Sequence, residues 1–512
     1  MVCFKHNQKF SVFIALISFI FLIFSCNADF GSLSRVTEET LDDGVLVMVY
    51  MAGANSLSNE IIIDLNKMEQ GLYDATSVGK RNLHVVALCD QMSKEIESDT
   101  TGNVWNGTRL YEIKPDKNDI LLWNTGEVFR SNINSNLIKT ASSSLGTWRT
   151  SAEQEEDMGK IETLKNFVTW ARETYPYCSM QMLILWDHGA GISSEYSWTE
   201  ENAASESSRN VCSDDETVEV DGVVDESFDA VLYIDEIQQL LKEIYSADNK
   251  LEFLGFDACY MGLYEVAYEF RDCVKYMAAS PATETGGWAY DYVFAQDDSL
   301  YSGKNFAINV VDGYYNSYPI YSNTMSAFDL SYMEEMKNAV DSFATKVGEC
   351  ILTSDEGLDN LRKSIENDAI FLSGKNYYKY FPYYELGSLL DFYSNNFGDD
   401  VKEQVSNVQS VMKKIIMKTW LCKSYGDKYE ENSAYGMGIF NANRPNKAEA
   451  YTDYYGFYTD SLYNETDPQY TSDKTSVLGY GGIDAANVVN TTNGTIECWR
   501  ELQNYIYAGG FY

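Results

Sequence analysis

Between residues 45 and 280 the chain alternates short apolar runs with segments whose apolar residues recur at helical spacing, and few folds accept that alternation. "VLVMVYMAG" from Val45, "LHVVALCD" (83–90), "QMLILWD" (181–187), "LEFLGFD" (251–257) and "VKYMAAS" (274–280) read as buried strands. Between them Ile161, Leu164, Phe167, Val168 and Ala171 repeat at helical spacing, and Ile234, Ile237, Leu240, Leu241 and Ile244 do the same. "YMGLYEVAYEF" (260–270) reads as a third helix. Strand–helix–strand repetition requires crossover connections, so the expected fold is α/β: a mostly parallel sheet with helices on both faces. In such sheets function gathers at the carboxyl ends of the strands.

A long stretch, 191–232, interrupts the pattern. It is acidic, rich in serine and poor in large aliphatics, with Arg209 its one basic residue, and reads as an exposed loop. Beyond about residue 300 the texture changes to amphipathic helices such as "MEEMKNAVDSFATKV" (333–347) and tyrosine-rich stretches such as "YYKYFPYYE" (377–385). Those tyrosines suit either a groove lining or a loop packed on its own domain. An α/β domain over 40–300 followed by an α+β extension over 301–512 is the expected organisation. The tail from residue 450 takes no assignment.

At the amino terminus Lys5 and Lys9 precede a mostly apolar run from Phe10 to Phe24, short for a membrane span and suited to an export signal over residues 1–25. It ends at Ile23-Phe24-Ser25-Cys26, similar to a bacterial lipoprotein box with Cys26 as the lipid-bearing first residue; cleavage and free secretion is the alternative. The expectation is an exported protein, held at the cell envelope by a lipid anchor or secreted, whose contact with membrane is through that anchor alone. The net charge is −39, and losing residues 1–25 removes two lysines and no acid. That field repels nucleic acid and speeds the approach of basic partners. Ten cysteines without a CxxC pair describe neither a zinc site nor a disulfide scaffold.

After export the histidines are His84 and His188. His84 lies inside a strand. His188 sits where an apolar strand ends and glycines begin, in "WDHGAG". Cys259 has the same placement on another strand, in "FDACYMG", ahead of the expected helix, where a helix dipole would favour its thiolate. Two strand ends of one parallel sheet would bring imidazole and thiol together as a nucleophile and its base.

The blocks "LILWDHGAG" and "LEFLGFDACYMG", with "YMAGANSLSNEIIIDLNKME", "EDMGKIETLKNFVTWARETYP" and "AASPATETGGWAYDYVF" around them, resemble the clostripain-like cysteine peptidases, family C11, of the clan that holds caspases, gingipains and legumain. The resemblance covers roughly residues 45–300 and is fainter in "YYELGSLLDFY" and "SAYGMGIF". It implies a caspase-like sheet and endopeptidase activity, with Cys259 as nucleophile, His188 as its partner, and the backbone N–H groups of Gly189 and Cys259 as oxyanion donors. It further implies that Asp257 floors a pocket for Arg or Lys before the scissile bond, Arg pairing better with a carboxylate. The other reading of Asp257 is a cap for the helix that follows. Asp187 would face away and be structural, leaving a dyad. Some members of the family cut themselves between the two blocks, which here points to Arg209–Asn210, and some require calcium, whose oxygen ligands the acidic loop could supply although no EF-hand spacing is present. Substrates would be proteins or peptides with basic residues. Two other functions remain open: a catalytically silent surface lipoprotein using this fold to bind, and a thiol hydrolase of non-peptide esters or amides.

Overall fold

The computed structural model describes residues 44–78, 83–91, 107–117, 133–138, 156–192, 210–214, 218–220, 223–225, 230–296, 302–319, 323–353, 358–373, 383–441, 496 and 499–508. The export signal, Cys26 and Arg209 lie outside them.

The first strands are β1 (Val45–Gly53), β2 (Leu83–Gln91), β3 (Gly107–Glu112), β4 (Asn136–Leu137) and β5 (Met180–Trp186). Four short ones follow: β6 (Asn210–Asp214), β7 (Val218–Val220), β8 (Val223–Asp225) and β9 (Ala230–Tyr233). Then come β10 (Leu251–Asp257), β11 (Val274–Ala279), β12 (Thr324–Asp329), β13 (Tyr383–Glu385), β14 (Ile416–Leu421), β15 (Lys428–Glu431) and β16 (Gly438–Phe440). Ten of these form one sheet in the order β15-β14-β12-β11-β10-β5-β1-β2-β3-β4. The five central strands, β2, β1, β5, β10 and β11, are parallel, as the alternation of strand and helix predicts. Both margins are antiparallel, which the apolar runs alone did not signal.

Burial on two faces explains the composition of the central strands. Every residue of β1 is buried, with Leu46, Met48 and Tyr50 entering one core and Val45, Val47 and Val49 the other. Helix α1 (Ser58–Val78) covers the Val47 face. The Met48 face is covered by α2 (Ile161–Thr174), α3 (Ile234–Ile244) and α4 (Tyr264–Phe270). α5 (Tyr290–Ala295) and α6 (Gly303–Ser317) return to the Val47 side. The Met48-side core then grows into a second layer through α7 (Met333–Leu352), α8 (Leu358–Asp368), α9 (Leu386–Asn396), α10 (Asp399–Ile415) and α11 (Trp499–Ala508). Each fully buried Leu or Phe contributes ~1.5–3 kcal/mol, so this second layer is a large share of the stability.

Three expectations change, and one pair of alternatives is decided for two tyrosines. The sheet runs through residue 300: β12, β14 and β15 lie beyond it, and residues 43–512 form one compact unit. The 191–232 stretch is not exposed throughout. Its described margins are the antiparallel pair β6/β9, with Val211, Cys212 and Leu232 in the core, because Asp214 and Ser213 find buried partners. The helix after Cys259 begins at Tyr264, not Tyr260. Residues 260–262 are instead spent docking on the next strand's end, through Tyr260 N–H to Ala282 O at 2.9 Å and Gly262 N–H to Ser280 O at 2.8 Å. Finally, Tyr383 and Tyr384 are buried and packed, while residues 377–382 of the same stretch lie outside the described residues.

Among the described residues seven cysteines are free, Cys89, Cys178, Cys212, Cys259, Cys273, Cys350 and Cys422. No described helix is long and apolar enough to cross a membrane.

Candidate active site

Strands β5 and β10 are neighbours, and their register sets Asp257 opposite Trp186. Asp187 N–H continues the ladder to Asp257 O at 3.2 Å. His188 and Cys259 are therefore each two residues past one register pair, on strands spaced about 4.8 Å apart. The turns that carry them touch. A Cβ placed on Gly189 would lie 2.4 Å from Cys259 O and 3.0 Å from Ala258 Cβ, so only a residue without a side chain fits behind the histidine.

Each side chain has a further neighbour that pattern reading missed. Ser56 Oγ lies 2.9 Å from His188 Nε2. Cys259 Sγ accepts the backbone N–H of Glu284 at 3.2 Å and donates to the Glu284 carbonyl at 3.8 Å. Ser56 follows β1, and Glu284 follows β11. Both stand beyond carboxyl ends of parallel strands, and that placement was the signal available for finding them.

Both groups keep a partly exposed edge but are walled by protein on most sides. Burial pushes the His188 imidazole down to about 4 and the Cys259 thiol up to about 11, the Glu284 N–H partly opposing the latter. The expected helix-dipole help to the thiolate is absent, since α4 starts five residues on and has Leu263 at its cap. The resting pair is uncharged near neutral pH.

Asp257 is buried and does not cap the helix. Its Oδ2 accepts Trp288 N–H at 3.1 Å and Tyr290 Oη–H at 2.8 Å. Burial, and then the Asp64 carboxylate, push its carboxyl up to about 7. Burial and Asp257 itself raise the Glu284 carboxyl well above its usual range. Two acids thus share one buried region beside the thiol. Behind them Asp64 accepts Trp186 Nε1–H at 2.8 Å and pairs with the buried Lys67 at 2.7 Å.

Asp187 points elsewhere. Its Oδ1 accepts Asn55 Nδ2–H at 2.8 Å, and its Oδ2 accepts the N–H and, at 3.2 Å, the hydroxyl of Ser213 in β6. It ties the inter-block segment to β5, in keeping with a structural part. Among the described residues no group of three or more His, Cys, Asp or Glu side chains is arranged to hold a metal ion. The acidic residues 193–209 considered for calcium lie outside the described residues.

A sequence model of the clostripain family matches residues 49–497, and the match spans both strand-end blocks and the sheet. The chain belongs to the clostripain family. It is a cysteine endopeptidase with a caspase-like α/β fold. Clostripain of Hathewaya histolytica is 27% identical over 455 residues, covering 80% of this chain and 76% of that protein. Among solved structures, an inactive zymogen C11 protease from Parabacteroides distasonis matches with a TM-score of 0.51 at 18% identity, over 78% of this chain and 92% of its own. A secreted C11 cysteine protease from Bacteroides thetaiotaomicron in complex with an irreversible peptide inhibitor matches with a TM-score of 0.50 at 17% identity, over 81% and 98%. At such identities the two structures speak to the fold that this clostripain-family chain shares with them.

Proposed function

We propose that this endopeptidase cleaves after Arg, and less readily after Lys, through a dyad of Cys259 and His188, and that it is exported. The observation that carries the reading is the common register of the two residues past adjacent parallel strands, with a buried acid pair beside the thiol. Because the resting pair is uncharged, the imidazole acts as base when substrate is bound. It takes the Sγ proton as sulfur attacks the scissile carbonyl carbon. The N–H groups of Gly189 and Cys259 hold the oxyanion. His188 then gives the proton to the leaving amine, and a thioester remains. Water attacks it, passing a proton to His188, and the carboxylate leaves as the thiol is restored.

Asp257, with Glu284 next to it, recognises the basic side chain. A guanidinium offers two parallel N–H donors to a carboxylate and an ammonium does not, which favours Arg. Self-cleavage at Arg209–Asn210 fits the same preference and leaves the new terminus on β6, anchored by Asp187 and Asp214. Lipid attachment at Cys26 would hold the exported enzyme at the envelope. Proteins and peptides with basic residues are its substrates.

Hydrolysis of fluorogenic Arg, Lys and Gln amides of one peptide tests this. Turnover in the order Arg, Lys, Gln, abolished by Cys259→Ala and by His188→Ala, is expected. Equal turnover of the Gln amide would remove the pocket, and activity surviving Cys259→Ala would remove the dyad.

A further inference from the structure

Tyr383 is fully buried at the start of β13, nearly two hundred residues after His188 in the chain, yet its hydroxyl closes the turn that follows the histidine. Its Oη–H donates to Ala190 O at 2.8 Å, and its oxygen accepts Ile192 N–H at 2.9 Å. Gly191, between those partners, has φ +63°, and a Cβ there would lie 2.9 Å from the hydroxyl and 2.6 Å from Tyr260 O. The hydroxyl thus takes the place of a backbone partner in a left-handed turn where both backbone groups are buried. The ring also reaches the other turn: its centroid is 5.8 Å from that of Tyr260, the residue after Cys259. Tyr260 itself has φ +59°, a conformation that a bulky residue keeps only when its surroundings hold it. On the partner strand Gly438 N–H donates to Gly262 O at 2.9 Å, so the two-stranded sheet β13/β16 is stitched to both strand-end turns.

The geometry points to Tyr383 as a positioning residue that sets the imidazole and the thiol relative to one another, through its hydroxyl on residues 190–192 and its ring on Tyr260. This rests on the reading of His188 and Cys259 as the dyad. Tyr383 touches neither substrate nor the reacting atoms in this role. Its effect is on the rate of the chemical step, since a small displacement of two reacting groups is expensive, whereas Asp257 is held by its own partners, Trp288 and Tyr290.

The experiment is steady-state hydrolysis of an Arg fluorogenic amide by the full chain and its Tyr383→Phe variant, with active sites counted by an irreversible peptide electrophile. The expected result is a loss in kcat of about tenfold to a hundredfold with KM unchanged within about twofold. The pH profile of Cys259 alkylation by iodoacetamide should also shift, which a purely structural tyrosine would not cause. Gly191→Ala crowds the same hydroxyl and should give the same split, and the double variant should be no worse than either single one. Tyr384→Phe, on the next residue of the strand, should leave kcat unchanged. A wild-type kcat and alkylation profile for Tyr383→Phe, with Cys259→Ala inactive, overturns the positioning role alone. Additive losses in the double variant overturn it too. Activity in Cys259→Ala overturns the dyad beneath it.

Discussion

Trp186 and Asp257 face one another across two parallel strands, and the two residues proposed as the dyad, His188 and Cys259, follow them at the same offset. The proposed active site is thus a property of register: a one-residue slip of either strand would turn His188 or Cys259 away.

That register separates Asp187 from the dyad. Asp187→Ala strips three hydrogen bonds from Asn55 and Ser213 and is expected to cost ~2–4 kcal/mol of stability, read from urea unfolding. Per titrated active site, kcat should fall by less than about tenfold, against complete loss for His188→Ala. A loss as deep as that of His188→Ala would make Asp187 a third catalytic member.

Asp257, as the proposed pocket acid, predicts an unusual pH profile. Asp257 moves from 3.8 to about 7 on folding, so it becomes ionised only as pH rises through about 7. A cationic side chain needs the ionised form. For the Arg amide kcat/KM should therefore climb through about 7, whereas for the Gln amide the acid limb should lie near 4, where His188 takes a proton. Asp257→Asn should erase the limb near 7 and lower kcat/KM for Arg by about tenfold to a hundredfold. The sign for stability is the reverse. Because the folded state holds this proton more tightly, its contribution is complete below 3.8 and is lost as pH rises to about 7. The urea midpoint should fall over that window, and less so in Asp257→Asn.

Gly189→Ala should damage the enzyme out of proportion to its size. The added methyl meets the Cys259 carbonyl at 2.4 Å, so the turns carrying the proposed dyad must part. About 1–3 kcal/mol of stability and at least about a hundredfold in kcat should be lost. Wild-type kinetics in this variant would mean the turns move freely past one another.

Processing has a single expected address. Purified wild-type protein should yield two fragments that remain associated, with Asn210 as a new amino terminus by end-group sequencing, and both Arg209→Ala and Cys259→Ala should stay whole. The same fragments from Arg209→Ala would place the cut elsewhere.

The parallel centre of the sheet was legible because strands buried on both faces must be nearly continuously apolar, as β1 is throughout, β5 from Met182 to Trp186 and β10 from Phe253 to Phe256. The proposed dyad positions lie where those runs end. The antiparallel margins were not legible, since β3, β14 and β15 carry polar residues such as Arg109, Lys418 and Glu430 that strand patterns alone do not separate from loops. The helix start at Tyr264 was missed for a tertiary reason: the backbone of 260–262 is claimed by Ser280 and Ala282 before it can enter a helix. Ser56 and Glu284 were signalled only by their places past carboxyl ends of parallel strands, and Tyr383 makes its contacts between distant segments, of which spacing along the chain carries no trace.

The stitching of β13/β16 to both turns sets an order in time. A growing chain that has passed residue 300 already contains His188, Cys259 and Asp257, but neither the Tyr383 hydroxyl nor the Gly438 amide that fasten their turns. The newborn protein therefore fastens its proposed cutting edge only after residue 438 has been made, and a fragment released earlier is a blunt one.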